Sequence, residues 1–208
     1  MILSYKRAKM LTVLTERGIG MEGQYLMDSV RLRLIIAGIG ELEEHGVKDF
    51  SLRRAALSAQ VSCAAPYRHF KDKDEYIAHI IKYVSANWQL LCREIERSFL
   101  GDTRRLAIEA CITNIRFWLA NPNFRSVLML KPKKNGAIEA ALWELNSFVA
   151  DSAAAYAHER GECEESARFA SLSLIFGTVM LMSADGISEN EKLLMHARSE
   201  LERRIFPL

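Results

Sequence analysis

Proline is scarce in this chain: four residues in 208, so long stretches carry no obligatory helix break. Cysteine is equally scarce. Cys63, Cys92, Cys111 and Cys163 lie far apart with no Cys-x-x-Cys pair, which argues against a zinc or dithiol motif and fits reduced thiols in a cytoplasmic protein. Catalytic signatures are missing too. There is no His-Glu-x-x-His, no Glu-x-x-His, no Gly-x-Ser-x-Gly and no phosphate loop, and the five histidines (His45, His69, His79, His158 and His196) are scattered. Cys111 sits near aromatic residues, but no base is marked as its partner. The expectation is a protein that is not an enzyme and needs no metal or cofactor. No apolar run is long enough to span a membrane. The longest uncharged stretch, between Arg168 and Asp185, falls short of the roughly 20 residues required and contains serine and threonine. At the N-terminus, Lys6, Arg7 and Lys9 precede an apolar run, Met10 to Leu14, that is too short for a secretory signal. Charge of one sign is lacking as well: the net charge is +2, with a slight positive excess over residues 1–83. A nucleic-acid surface would have to gather its cations on one face.

Half of the residues are hydrophobic, and they recur at helical spacing, so the expected fold class is all-α, with about nine helices. Residues 1–27 read as an N-terminal extension, with Gly18, Gly20 and Gly23 as a connection and Lys6, Arg7, Lys9 and Arg17 as a candidate basic arm. A first helix is predicted from Asp28, where Asp28 or Ser29 can cap it, to His45, with Gly46 closing it. Further helices are expected from Asp72 to Phe99, Thr103 to Ala120, Phe124 to Leu130, Ala137 to Arg160, Glu162 to Ala184 and Ser188 to Phe206. Lys131 to Gly136 reads as a basic surface loop.

The most informative stretch is Leu52 to Tyr76, LRRAALSAQVSCAAPYRHFKDKDEY. It reads as a short helix to Ala59, a turn at Gln60-Val61, and a second short helix from Ser62 to His69 with Ser62 as its N-cap. Pro66 falls at the edge of its first turn. Lys71 to Asp74 then breaks this helix and caps a third. Small residues that allow close approach, followed by groups that bind phosphate, suit a helix-turn-helix in a DNA major groove.

Over Val61-Ser62, Ala65-Pro66-Tyr67-Arg68-His69-Phe70 and Lys73-Asp74, the chain resembles the N-terminal DNA-binding domain of the TetR family of transcriptional regulators. The segment from Arg31 to Gly46 is similar to the family's first helix. One departure is Gln60, which stands where the family usually has a turn glycine; positive φ is costly for a residue with a side chain. The resemblance implies a helix-turn-helix domain over 28–75 and a larger ligand-binding and dimerisation domain over 76–208. It also implies that Tyr67, His69 and Lys73 contact phosphate, a role their donors and charge suit. Cys63, Ala64 and Ala65 offer apolar contact to thymine methyl groups, while Arg53, with Arg68 in support, supplies polar base reading. Phe70 reads as core.

In the remaining two-thirds, large soft side chains predominate. Trp88, Cys111, Asn114, Phe117, Trp118, Met129, Trp143 and Phe176 are the candidate ligand-binding residues, with Asn114 and Arg116 as candidate polar fixtures; Arg116 is equally readable as a surface residue. The resemblance implies a cavity here, and its apolar composition implies a small, largely apolar effector. The stretch from Arg168 to Asp185 is apolar on nearly every side, as expected of a helix buried both against its own domain and against a twin chain; the alternative is a deeply buried central helix in a monomer. Residues 168–185 and 188–206, the latter through Leu193, Leu194, Ala197, Leu201 and Ile205, are therefore the expected homodimer interface. The functional expectation is a ligand-responsive repressor that binds double-stranded DNA at a palindromic operator as a homodimer. The alternative is a helical scaffold or interaction protein whose DNA head no longer functions, since the recognition tip carries little polar base-reading power.

Overall fold

The computed structural model describes residues 30–121, 127, 134, 136–182 and 186–208, and the regular elements among them are helical. The extension over 1–27, the capping residues Asp28 and Ser29, most of the short helix expected over 124–130 and most of the basic loop lie outside the described residues. Eight α-helices are described: α1 (Val30–His45), α2 (Leu52–Ser58), α3 (Pro66–His69), α4 (Lys73–Ser98), α5 (Thr103–Ala120), α6 (Ala137–Glu159), α7 (Glu164–Leu181) and α8 (Ile187–Glu200). The last runs into a π-helical turn, Leu201–Ile205.

Local chemistry sets most of these boundaries. The Asp72 carboxylate accepts the Glu75 N–H at 2.9 Å to open α4, and Asp102 accepts the Arg105 N–H at 2.9 Å to open α5. Each satisfies a donor that the first helical turn leaves without a partner. Ser51 caps α2 in the same way, through the Arg54 N–H. At the far end of α6, Gly161 takes φ +68° while the Glu162 N–H reaches back to the Ala157 carbonyl at 2.9 Å, so the helix closes on its own last carbonyls.

Helix α6 lies at the centre of the body, packed on α4, α5 and α7. Trp88, Trp118, Ile112, Ile115 and Leu145 fill the interior between these helices and are essentially inaccessible to solvent. The C-terminal segment is clasped from outside. Arg104 donates to the carbonyls of Phe206 (2.7 Å) and Glu202 (3.1 Å), and the Tyr156 hydroxyl donates to the Pro207 carbonyl. Arg198 holds Glu109 by two hydrogen bonds of 2.8 and 2.9 Å, which ties α8 to α5 and keeps the Glu109 carboxyl below its ordinary pKa. Leu194, Ala197 and Leu201, expected in an intersubunit seam, are buried within their own chain; Met195 is the large apolar side chain that this segment leaves exposed. Helical periodicity identified the apolar stripe but could not say which body would cover it.

The N-terminal head and the body share α4. A division at residues 75/76 falls inside this helix, whose first turns pack against α1 while its later turns enter the body core. At the crossing, the Tyr76 hydroxyl donates to the Leu34 carbonyl at 2.5 Å, its ring stacks on Phe70 with centroids 4.2 Å apart, and Phe50 meets it edge-on at 5.3 Å. Gly38 makes the approach possible: a Cβ there would lie 2.5 Å from Ile80 Cδ1 and 3.1 Å from the Tyr76 ring.

Gly38→Val is therefore expected to destabilise the protein by about 2 kcal/mol or more through overpacking. Gly40→Ala, at a helical position with nothing within 4 Å, should stabilise it by about 0.5–1 kcal/mol. Thermal melts of the two variants should move in opposite directions from the parent.

Candidate nucleic-acid interface and candidate ligand site

The geometry of the head depends on a buried carboxylate. Glu41, on α1, is 7% exposed. It accepts the Ser51 N–H at 2.9 Å and the Arg54 guanidinium through Nε (2.9 Å) and Nη2 (2.5 Å). Arg54 also donates to the Asp49 carbonyl, and His45 Nδ1 lies 3.5 Å from the second Glu41 oxygen. One carboxylate thus fixes the start of α2 on α1 and satisfies a backbone donor at the N-cap. Sequence reading missed this hub, because its partners lie 10 and 13 residues away and only packing brings them together. The consequence for Arg53 is direct. Of the two adjacent arginines, Arg54 is occupied by structure and Arg53 projects outward, exposed.

The turn after α2 adopts the conformation that the sequence requires. Gln60 has φ +56°, and the Gln60 and Val61 N–H groups return to the carbonyls of Leu57 (3.0 Å) and Ala56 (3.1 Å). This is the closure that Gly161 provides for α6, made here by a residue with a side chain.

The recognition segment differs from expectation. The regular helix is only Pro66–His69, not Ser62–His69. Cys63 and Ala64 form a turn, and it is the Ser62 carbonyl, not its hydroxyl, that accepts the Ala65 N–H at 2.9 Å. Pro66 occupies the first helical position, where its missing N–H costs nothing. Ala65 is 8% exposed and packs inward, which removes it from any DNA-facing surface; Ser62, Cys63 and Ala64 remain exposed. Tyr67 is 66% exposed although large and aromatic, and Arg68 and His69 flank it, also exposed. Phe70 is buried as core. Lys73 donates from Nζ to the Lys48 carbonyl at 2.9 Å, which leaves two ammonium protons free. Arg31, not singled out from sequence, lies with its guanidinium 5.9 Å from the centre of the Phe70 ring, adding a cation beside the recognition segment.

In the body, the candidate ligand residues divide into two groups. Trp88, Cys111, Asn114, Phe117 and Trp118 are all buried among α4, α5 and α6. Burial pushes the Cys111 thiol up to about 12, so it is no thiolate nucleophile at neutral pH. Arg116 is exposed and belongs to the surface. Trp143 is not in the interior; at 62% exposure it borders an open groove with Leu142, Asn146, Leu172 and half-buried Phe176 between α6 and α7. Met129 lies outside the described residues. Among the described residues, no helix is long and apolar enough to cross a membrane.

No protein-family model matches the chain, and no curated protein matches it. Solved structures do. The chain superposes on the transcriptional regulator FadR from Bacillus subtilis in complex with stearoyl-CoA with a TM-score of 0.61 at 15% identity, covering 82% of this chain and 95% of that one. A TetR-family transcriptional regulator from Bordetella parapertussis gives 0.62 at 13% identity, over 85% and 95%. The reduced form of NemR from E. coli gives 0.59 at 15% identity, over 86% and 98%. The fold is that of the TetR-type regulators: an N-terminal helix-turn-helix head followed by a helical domain.

The two adjacent arginines should separate cleanly. Arg54→Ala is expected to lower the melting temperature, because it leaves Glu41 buried without its cation, whereas Arg53→Ala should leave it within a degree or two. Gln60→Gly should raise stability by about 0.5–1 kcal/mol by relieving the left-handed strain. Calorimetric melts of the three variants check all of this.

Proposed function

We propose that the protein is a ligand-responsive DNA-binding transcriptional regulator, a repressor that engages a palindromic operator as a homodimer. One observation carries the reading: in a head of TetR-type fold, Arg53, Tyr67, Arg68 and His69 are left exposed while their framework is buried. Phosphate contacts from Tyr67, His69 and Lys73 supply affinity, and Arg53 with the methyl-compatible Cys63 and Ala64 supplies base preference. Two heads on a two-fold axis would each take one major groove, one helical turn apart. An effector would act by favouring one head spacing, to the extent of its differential affinity for the two states.

The dimer reading is supported by the outer face of α7. Phe169, Met180 and Leu181 are 75%, 51% and 71% exposed, with Ser173 and Gly177 exposed between them. Such a face suits a second copy of the same helix, because the small residues allow close approach and the large ones interlock. The scaffold reading draws on the four-residue recognition helix and its small-residue turn, and the DNA titration decides between the two.

Fluorescence anisotropy against DNA upstream of the protein's own gene should show specific binding at moderate salt. Arg53→Ala should weaken it by roughly tenfold and relax base preference, and Lys73→Ala should weaken it evenly while reducing the salt slope by about one. Absence of specific binding contradicts the regulator reading, and an unchanged slope contradicts the role of Lys73. Sedimentation should give twice the 23.6 kDa chain mass, reduced to the monomer by Phe169→Asp combined with Met180→Asp.

A further inference from the structure

Among the described residues, two neutral hydrogen-bond donors in the body are sealed from solvent with nothing to donate to. Trp88, on α4, is fully buried, and its indole Nε1–H has no partner; Asn114, on α5, is 1% exposed, and its amide Nδ2 has none either. The orientation of the Asn114 amide is fixed. Trp118 Nε1 lies 3.0 Å from Asn114 Oδ1, and an indole can only donate, so the oxygen faces Trp118 and the NH2 group faces elsewhere. Both sites therefore lack an acceptor. An unpaired donor in a dry interior forfeits a hydrogen bond that water would have supplied, and apolar side chains of similar size would avoid that loss.

The two donors belong to one aromatic cluster where α4, α5 and α6 meet. The Trp88 ring lies 5.7 Å from Phe117 and 6.2 Å from Phe148, and Phe117 lies 5.7 Å from Trp118. Nearby Ser85 spends its hydroxyl on the Ile81 carbonyl. The charge in this region is equally informative. Among the described residues no lysine, arginine or histidine is buried, and Glu41, the buried ionisable carboxylate, belongs to the head. A ligand carboxylate brought to these donors would be a buried charge without a counter-ion, which is strongly disfavoured, whereas a neutral carbonyl oxygen would be satisfied.

We propose that Trp88 Nε1–H and Asn114 Nδ2–H are the polar fixtures of the effector site, and that its ligand is an uncharged apolar carbonyl compound, a ketone, aldehyde or ester, held through its carbonyl oxygen. The consequence for DNA rests on the regulator reading above; the binding itself does not. Because both donors are sealed, the ligand must part the rings on α4 from those on α5. α4 also carries Tyr76 and the head, so the opening is felt there.

The test uses the full chain and two probes matched in length, 2-undecanone and undecanoate, at pH 7.5, where the acid is ionised. Calorimetric titration should show the ketone binding at least about tenfold more tightly than the carboxylate. Trp88→Phe and Asn114→Leu, each checked for folding by circular dichroism, should weaken ketone binding about fivefold or more while leaving the carboxylate unaffected. In the parent protein with 15N-labelled tryptophan, the Trp88 indole N–H resonance should shift on adding ketone, a readout that does not depend on any variant folding. Equal or tighter binding of undecanoate, undiminished ketone binding by the folded variants, an unmoved Trp88 resonance, or no ketone binding up to its solubility limit overturns the proposal. Anisotropy with promoter DNA in the same samples separates the two claims. Ketone binding without DNA binding contradicts the regulator reading and leaves the site standing; DNA binding without ketone binding does the reverse.

Discussion

At Gly38 the backbone of α1 lies against the side chains of α4, where a Cβ would overlap Ile80 Cδ1 and crowd the Tyr76 ring. That crossing determines what the rest of the molecule can be. Tyr76 fills the space beside it, stacked on Phe70, met edge-on by Phe50 and tethered to the Leu34 carbonyl. Three segments of the head thus converge on one side chain of a 26-residue helix whose later turns enter the body. Close-packed interiors transmit displacement, because side chains have few alternative arrangements. A change of packing around Trp88, three turns further along α4, therefore has a direct mechanical route to the recognition segment.

The head combines this rigid framework with a thin reading surface. Glu41 neutralises Arg54, caps the approach to α2 and leaves Arg53 free. The recognition helix is four residues long, with exposed Ser62, Cys63 and Ala64 ahead of it. In the proposed regulator, such a surface would favour phosphate contacts, apolar contact with thymine methyl groups and DNA shape over dense base hydrogen bonding. The body has the complementary character: an aromatic interior with unsatisfied donors on one side of α6, and an open apolar face on α7 on the other.

Much of this was legible in the sequence, for identifiable reasons. Asp72, Asp102, Gly46 and Gly161 punctuate the helices, and local hydrogen bonding makes such signals reliable. The positive φ at Gln60 follows from the turn it occupies. The length of the recognition helix did not follow, because small residues before Pro66 are compatible with either a helix or a turn until packing draws Ala65 inward. Trp143 read as interior because aromatic residues usually are, yet the helix face it occupies is open in the single chain. The Glu41 hub and the C-terminal clasp on Arg104 depend on partners distant in sequence, and no periodicity encodes those.

The central claim, that the exposed face around Tyr67 reads DNA as half of a two-fold pair, is tested most directly by selecting binding sites from a random duplex pool with the purified full chain. The account predicts enrichment of a palindrome whose half-sites lie about one helical turn apart, abolished when the head is altered at Arg53 and Tyr67 together. A pool that stays random through successive rounds, or one enriched equally by the altered protein, would contradict it.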